Sequence, residues 1–268
     1  MPKTWLDSFD GGFIMVPWER YEEAVGWYIE TFDLEVESQE EYLKEKMTSL
    51  QFPSIGLVHI KSVNDGHEHF NTAWGQASNV RFCFDAPDIH AVYREFQEKG
   101  IRTEDLVKGV SGLYVFDFYD PYATRLTLTE PHPNAKPLLD MAPASRLLGF
   151  SPPRISVRKL SHALDWYERF LGVKTMAVRN DHAVLQPGKE DGCPILLIEG
   201  DYDERRAYHL PAARPYYVIR GKDAFLEAYR GLSEQGVNIS PMAGHPDGWA
   251  AFHFFDLDGN VLNVWTFR

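Results

Sequence analysis

Three kinds of side chain in this 268-residue sequence stand where they could do chemistry. His253 lies between Phe252 and Phe254 in an alternating run, so a strand would turn its imidazole to the face opposite the two rings. There it could exchange a proton near neutral pH, or simply be a hydrogen-bonded strand histidine. Asp117 holds the same place between Phe116 and Phe118, 136 residues earlier. A carboxylate on that face suits a cationic or hydroxyl-bearing ligand. Arg81, Arg125, Arg154 and Arg214 sit within or at the start of strand-like runs. A guanidinium facing an apolar sheet needs either a carboxylate or an anionic ligand, and structural ion pairs and an anion site both meet that need.

Two loops add candidates. Asn64-Asp65-Gly66-His67-Glu68-His69 brings two histidines and two carboxylates into six residues, but in no standard zinc spacing, and reads as a solvated loop. His245-Pro246-Asp247-Gly248-Trp249 reads as a turn with a histidine available for proton transfer. Trp18, Trp27, Trp166, Tyr216, Tyr217, Trp249 and Trp265 exceed what two small cores require, and Trp249 in particular could stack on a planar ligand. No glycine-rich phosphate loop, Gly-x-Ser-x-Gly elbow or Cys-x-x-Cys pair is present, so nucleotide hydrolysis, serine-hydrolase chemistry and zinc-finger roles lack support.

These residues must be carried by elements, and the elements repeat. Ala24-Val25-Gly26-Trp27-Tyr28 returns 139 residues later as Ala163-Leu164-Asp165-Trp166-Tyr167, at helical spacing with strand-like runs on either side. A second pair, Phe82 to Asp120 against Val218 to Asp256, repeats at an offset of 136 with a helix ending at Gly100 or Gly236. The chain therefore divides into four modules. Asp256-Leu257-Asp258-Gly259-Asn260 predicts a hairpin turn in the last of them, and Asp120 to Thr124 is its weaker counterpart in the second. The proline-rich stretch beginning at Pro131 interrupts every period. It places a linker at 131–148 between a first domain at 1–130 (modules 1 and 2) and a second at 149–268 (modules 3 and 4).

Acidic residues outnumber basic ones by 39 to 27, giving a formal net charge of −12. That balance repels phosphate backbones and anionic membrane surfaces, so neither nucleic acid nor a membrane is expected as a partner. The sequence shows no apolar leader and no apolar stretch of spanning length, and only Cys83 and Cys193 as thiols, which favours a reducing, cytoplasmic setting.

The two Trp-Tyr helices and the run Phe254-Phe255-Asp256-Leu257-Asp258-Gly259-Asn260-Val261-Leu262-Asn263-Val264, set in a four-fold module order, resemble the vicinal oxygen chelate superfamily, which includes glyoxalase I, extradiol dioxygenases and the fosfomycin- and bleomycin-resistance proteins. The resemblance runs from about Phe13 to Trp265. It implies an α+β fold of four βαβββ modules in two tandem glyoxalase-like domains, with cup-shaped mixed sheets and helices outside. It also implies a divalent metal held by His, Gln or Glu from paired modules. The matching positions, however, are Phe13 and Pro152 on first strands and Thr127 and Asn263 on last strands. The remaining first strands offer Asn79 or Arg81, and Pro215 or Tyr217. Only His59 and Glu199 could survive as metal ligands, in different cups. Arg154 shares the parity of Pro152 and is expected to line the second cup.

On this basis the sequence points to a metal-independent protein that binds a small molecule, drug or metabolite, with no cofactor. The candidate site residues are Arg154, Tyr217, Asn263, Arg81, Asp117, Thr127 and Trp249, with His253 as the candidate for acid-base work. The alternative is a metal-dependent lyase or dioxygenase of the same superfamily. Whether the chain is an enzyme stays open, as does the choice between a monomer with internally paired domains and a homodimer.

Overall fold

Four βαβββ modules follow one another along the chain in a computed structural model that describes residues 4–53, 56–132, 146–188 and 193–268. Module 1 comprises β1 (Ser8–Met15), α1 (Tyr21–Phe32), β2 (Glu35–Tyr42), β3 (Glu45–Gln51) and β4 (Leu57–Val63). Module 2 has β5 (Val80–Asp85), α2 (Ile89–Glu98), β6 (Val107–Lys108), β7 (Tyr114–Tyr119) and β8 (Arg125–Thr129). Module 3 has β9 (Gly149–Val157), α3 (Leu160–Trp166, continued by a π-helical turn over Tyr167–Leu171), β10 (Lys174–Val178), β11 (His182–Gln186) and β12 (Ile195–Glu199). Module 4 has β13 (Ala213–Val218), α4 (Lys222–Glu234), β14 (Ala243–Gly244), β15 (Ala250–Phe255) and β16 (Val261–Thr266). Among the described residues no helix is long and apolar enough to cross a membrane.

The sheets join modules differently from the order along the chain. One eight-stranded sheet runs β14-β15-β16-β13-β1-β4-β3-β2 and so pairs module 4 with module 1; the other runs β10-β11-β12-β9-β5-β8-β7-β6 and pairs module 3 with module 2. Both are curled, mixed sheets with helices against one face. Antiparallel seams between β1 and β13 and between β5 and β9 make the junctions. Each cup therefore takes one module from each half of the chain. The hydrophobic cores do follow the halves. One packs Ile14, Tyr28 and Phe32 with Phe82, Phe96 and Phe118; the other packs Ile155, Tyr167 and Leu171 with Phe225, Phe252 and Val264. Residues 133–145 of the expected linker lie outside the described residues.

The repeated tyrosine does the same job twice. Tyr28 donates its hydroxyl to Asp120 Oδ2 at 2.8 Å, and Tyr167 donates to Asp256 Oδ2 at 2.9 Å, each from the helix of one module to the hairpin turn of the next. The carboxylates organise their turns as well: Asp256 accepts from the backbone N–H groups of Asp258 and Asn260, and Asp120 from those of Tyr122 and Thr124. The second module lacks the Gly of the turn, yet Ala123 takes up a left-handed φ of 62° where Gly259 has 76°. Burial lifts Asp256 to a pKa of about 6 against the hydrogen bonds it receives. Removing the hydroxyl in Tyr167→Phe leaves that buried carboxylate one donor short. Unfolding in denaturant is expected to show a loss of about 1–3 kcal/mol, and a stability unchanged within error would show that the bond does not tie the modules together.

Candidate functional site

Strand period two, together with the burial pattern, assigns the faces. In the first sheet, Phe13 and Met15 of β1 and Tyr216 and Val218 of β13 form a cluster with Ala251 and Trp265 that is separate from the helix-side cores. This is the concave face. Phe13 is register partner to Arg214 across the seam and to His59 in β4, so all three share it. Tyr217 has the opposite parity: it is buried in the helix-side core against Phe9 at 5.8 Å, which removes it as a ligand-binding residue. Its neighbours Arg214 and Tyr216 hold the cup positions of that strand.

A cavity of about 810 Å³ opens on this sheet and extends toward the second. Phe9, Phe13, Phe150, Trp249, Trp265 and Phe267 supply its rings, and Asp10, Glu40, Glu45 and Asp85 its carboxylates. Trp265 stacks on Tyr216 with centroids 4.5 Å apart and donates its indole N–H to Asp10 Oδ2 at 3.0 Å. Burial raises the pKa of Asp10, opposed by that bond, and raises Asp85 to about 7. Lys61 is the lysine of this cavity. Its ammonium meets Glu45 at 2.7 Å and lies 4.9–5.3 Å from the ring centres of Phe70, Trp249 and Phe13. Its charge is thereby already matched. Lys61 follows His59 by two residues, so strand parity alone could have placed it in the cup; the Asp10–Trp265 bond joins opposite ends of the chain and carries no local signal.

Beyond Phe13 the floor of the cup is polar and closed. Arg214 is completely buried and donates to the carbonyl oxygens of Pro211, His69 and Asn71 and to the Thr72 hydroxyl. Within the expected solvated loop at 64–69, Asn64, Asp65, Gly66 and Glu68 are exposed, while His69 is fully buried and turns in over the cup. His69 Nε2 lies 2.6 Å from the Tyr216 hydroxyl, and its Nδ1 lies 3.4 Å from Nδ1 of His253. His253 faces the cup side, but it is 3% exposed and does not line the cavity. Burial, reinforced by Arg214, depresses its pKa to about 4, so it is neutral at pH 7. Burial and then Lys61 do the same to His59, whose Nδ1 is held by Ser49 at 2.9 Å. Asn263 is buried beside Tyr216, donating to the Pro215 carbonyl.

The second cup gathers the remaining candidates. Arg81, Asp117, Arg125, Thr127 and Arg154 share its concave face, with Asp117 accepting from Arg125 Nε at 2.8 Å and from the Thr127 hydroxyl. Arg214, grouped with these arginines by sequence, belongs to the other cup. Glu199 lies at the outer end of β12, where it accepts from the Leu160 N–H at 2.8 Å and pairs with Lys159. It caps α3 and is no cup ligand.

The residues present do not fit the divalent metal that the resemblance implies. Its expected positions carry Phe13, Pro152, Thr127 and Asn263, and His59 shares its face with Lys61 and Arg214, whose charge repels a cation. Among the described residues no three His, Cys, Asp or Glu side chains converge to hold an ion.

No protein-family model matches the sequence, and no curated protein matches it. Solved structures do match in fold. A suspected dioxygenase from Bacillus subtilis aligns over 98% of this chain and 86% of its own, with a TM-score of 0.65 and 12% identity. A glyoxalase I variant from Zea mays aligns over 97% and 93%, with a TM-score of 0.63 and 17% identity; a second glyoxalase I structure from Zea mays gives 0.57 and 15%. At these identities the likeness is one of fold.

The buried histidines make acid a specific stress. Their folded pKa values lie below the unfolded value, so the stability they contribute is present above about pH 6.5 and is lost as pH falls toward 4. Asp256 and Asp85, raised to about 6 and about 7, act in the opposite direction over the range between about 4 and 7. Denaturant unfolding at pH 7.5 and 4.5 is therefore expected to show a smaller acid loss in His59→Gln and in His253→Asn than in the parent, by about 2–3 kcal/mol each. An identical pH dependence in parent and variants would mean that the two imidazoles are protonated in the folded state.

Proposed function

Because the chain has the tandem-domain fold of the vicinal oxygen chelate superfamily, we propose that it acts as a metal-independent binder of a planar aromatic cation in the cavity of the first sheet. The observation that carries this reading is the cavity lining: six aromatic rings beside four carboxylates, with Lys61 already paired to Glu45. A volume of about 810 Å³ suits a drug-sized molecule. Stacking between rings such as Trp265 and Phe13 would orient a flat ligand, and Asp10 and Asp85 would receive its positive charge. The acidic balance of the whole chain would draw a cation toward the mouth.

Quenching of tryptophan fluorescence by acridinium and phenanthridinium dyes tests this directly. Saturable binding is expected, at least tenfold weaker for Trp265→Ala and several-fold weaker for Asp10→Asn. Affinity for the cation should rise between pH 6 and pH 8 as Asp85 ionises around pH 7. Equal binding of uncharged ring systems of the same shape, or no saturable quenching at all, would sink the proposal.

A further inference from the structure

The second cup is built on a different principle from the first. Arg81 and Arg154 are register partners across the β5–β9 seam, so two guanidinium-bearing side chains stand opposite one another on the same face. Like charges in directly opposed positions of an antiparallel pair are destabilising unless negative charge intervenes. The carboxylates nearby do not fully answer them. Asp117 pairs with Arg125 at 2.5 Å and is 3.7 Å from Arg81 Nε, and Asp201 takes Arg81 Nη2 at 2.9 Å. Arg154 makes no direct ion pair among the described residues, although its charge is felt by Asp85; its guanidinium makes one hydrogen bond there, to the Thr129 hydroxyl at 3.5 Å. Arg81 is 3% exposed, and its Nη1 is buried with no hydrogen-bond partner. Asp85, at the same strand parity as Arg81, is the further carboxylate that feels Arg154, and burial raises it to about 7, so it answers the arginines only in part at neutral pH.

The wall beside them is apolar. Leu196 of β12 is register partner to Arg154, Val184 of β11 to Leu196, and Ile198 lies two residues further along the same face. Val184 and Ile198 are half-buried, so this side of the cup is accessible.

We propose that the second cup binds an amphiphilic monoanion, a carboxylate with an apolar body, whose carboxylate bridges Arg154 and Arg81 while the body lies along Val184, Leu196 and Ile198. A planar carboxylate matches the forked donors of a guanidinium, and its negative charge answers the opposed arginines and the unpartnered Nη1 of Arg81. This site is separate from the aromatic cavity of the first sheet and takes a ligand of opposite charge.

The test is calorimetric titration of the full chain with 4-phenylbutyrate, using 4-phenylbutanamide as the uncharged control and inorganic phosphate as the bare anion. Saturable binding of the carboxylate is expected, with amide and phosphate at least tenfold weaker. Arg154→Met should reduce carboxylate affinity at least tenfold and raise the melting temperature of the ligand-free protein by relieving the opposed charges. Val184→Asp, at the half-buried apolar wall, should weaken the carboxylate without touching either arginine. No saturable binding, equal binding of the amide or of phosphate, or an Arg154→Met protein that is less stable without ligand would each overturn the proposal. Because dye binding is read at Trp265 and carboxylate binding at Val184, failure of either leaves the other reading intact.

Discussion

Arg214 is a guanidinium taken wholly out of water with no carboxylate among the described residues to receive it. Burying a charge in that way is costly unless its donors are met, and here backbone carbonyls of Pro211, His69 and Asn71 meet them. Much of the first cup follows from that arrangement. The carbonyls belong largely to the segment joining modules 1 and 2, so satisfying the arginine draws the segment down over the cup. The positive charge left in the floor helps keep His69 and His253 neutral, and even Arg214 itself is pulled to a pKa of about 10 by its burial. The accessible space is displaced toward the other end of the sheet, where rings and carboxylates take over from imidazoles.

That displacement explains how the site departs from what the fold suggests. The first-strand position where the resemblance implies a metal ligand carries Phe13, which packs on Tyr216 with centroids 4.8 Å apart, and the last-strand position carries Asn263, buried without exposure. Both positions now serve the packing of the cup. Charge has moved to places the repeat does not mark, such as Asp10 at the start of the seam and Glu45 at the edge of the sheet.

The legible parts of the sequence were those with local periodicity. The Trp-Tyr helices, the Asp-led turns and the module order follow from spacing a few residues wide. Parity placed Arg154 and Asp117 on a concave face. It failed at Tyr217 because the offset of 136 does not hold through the first strands: Cys83 pairs with Thr127 as Tyr216 pairs with Asn263, and 216 − 83 = 133, so a three-residue difference before the helix inverts the parity. Pairing between modules was equally hidden, since β1 and β13 meet across some 200 residues. The loop at 64–68 is as solvated as its Asn, Asp and Gly suggest, but the burial of His69 at its end follows from the arginine beneath it, which has no local signal.

Each seam pairs a strand from one half of the chain with a strand from the other. A molecule consisting of one half alone would leave two such strands open and would have to close them against a second copy of itself. Two-fold symmetry would then make both cups identical, because every residue in one would appear in the other. Joining the halves covalently replaces that association with a fixed local concentration and breaks the symmetry. The two cups are then free to differ in charge, and here one is lined with rings and carboxylates while the other is lined with arginines.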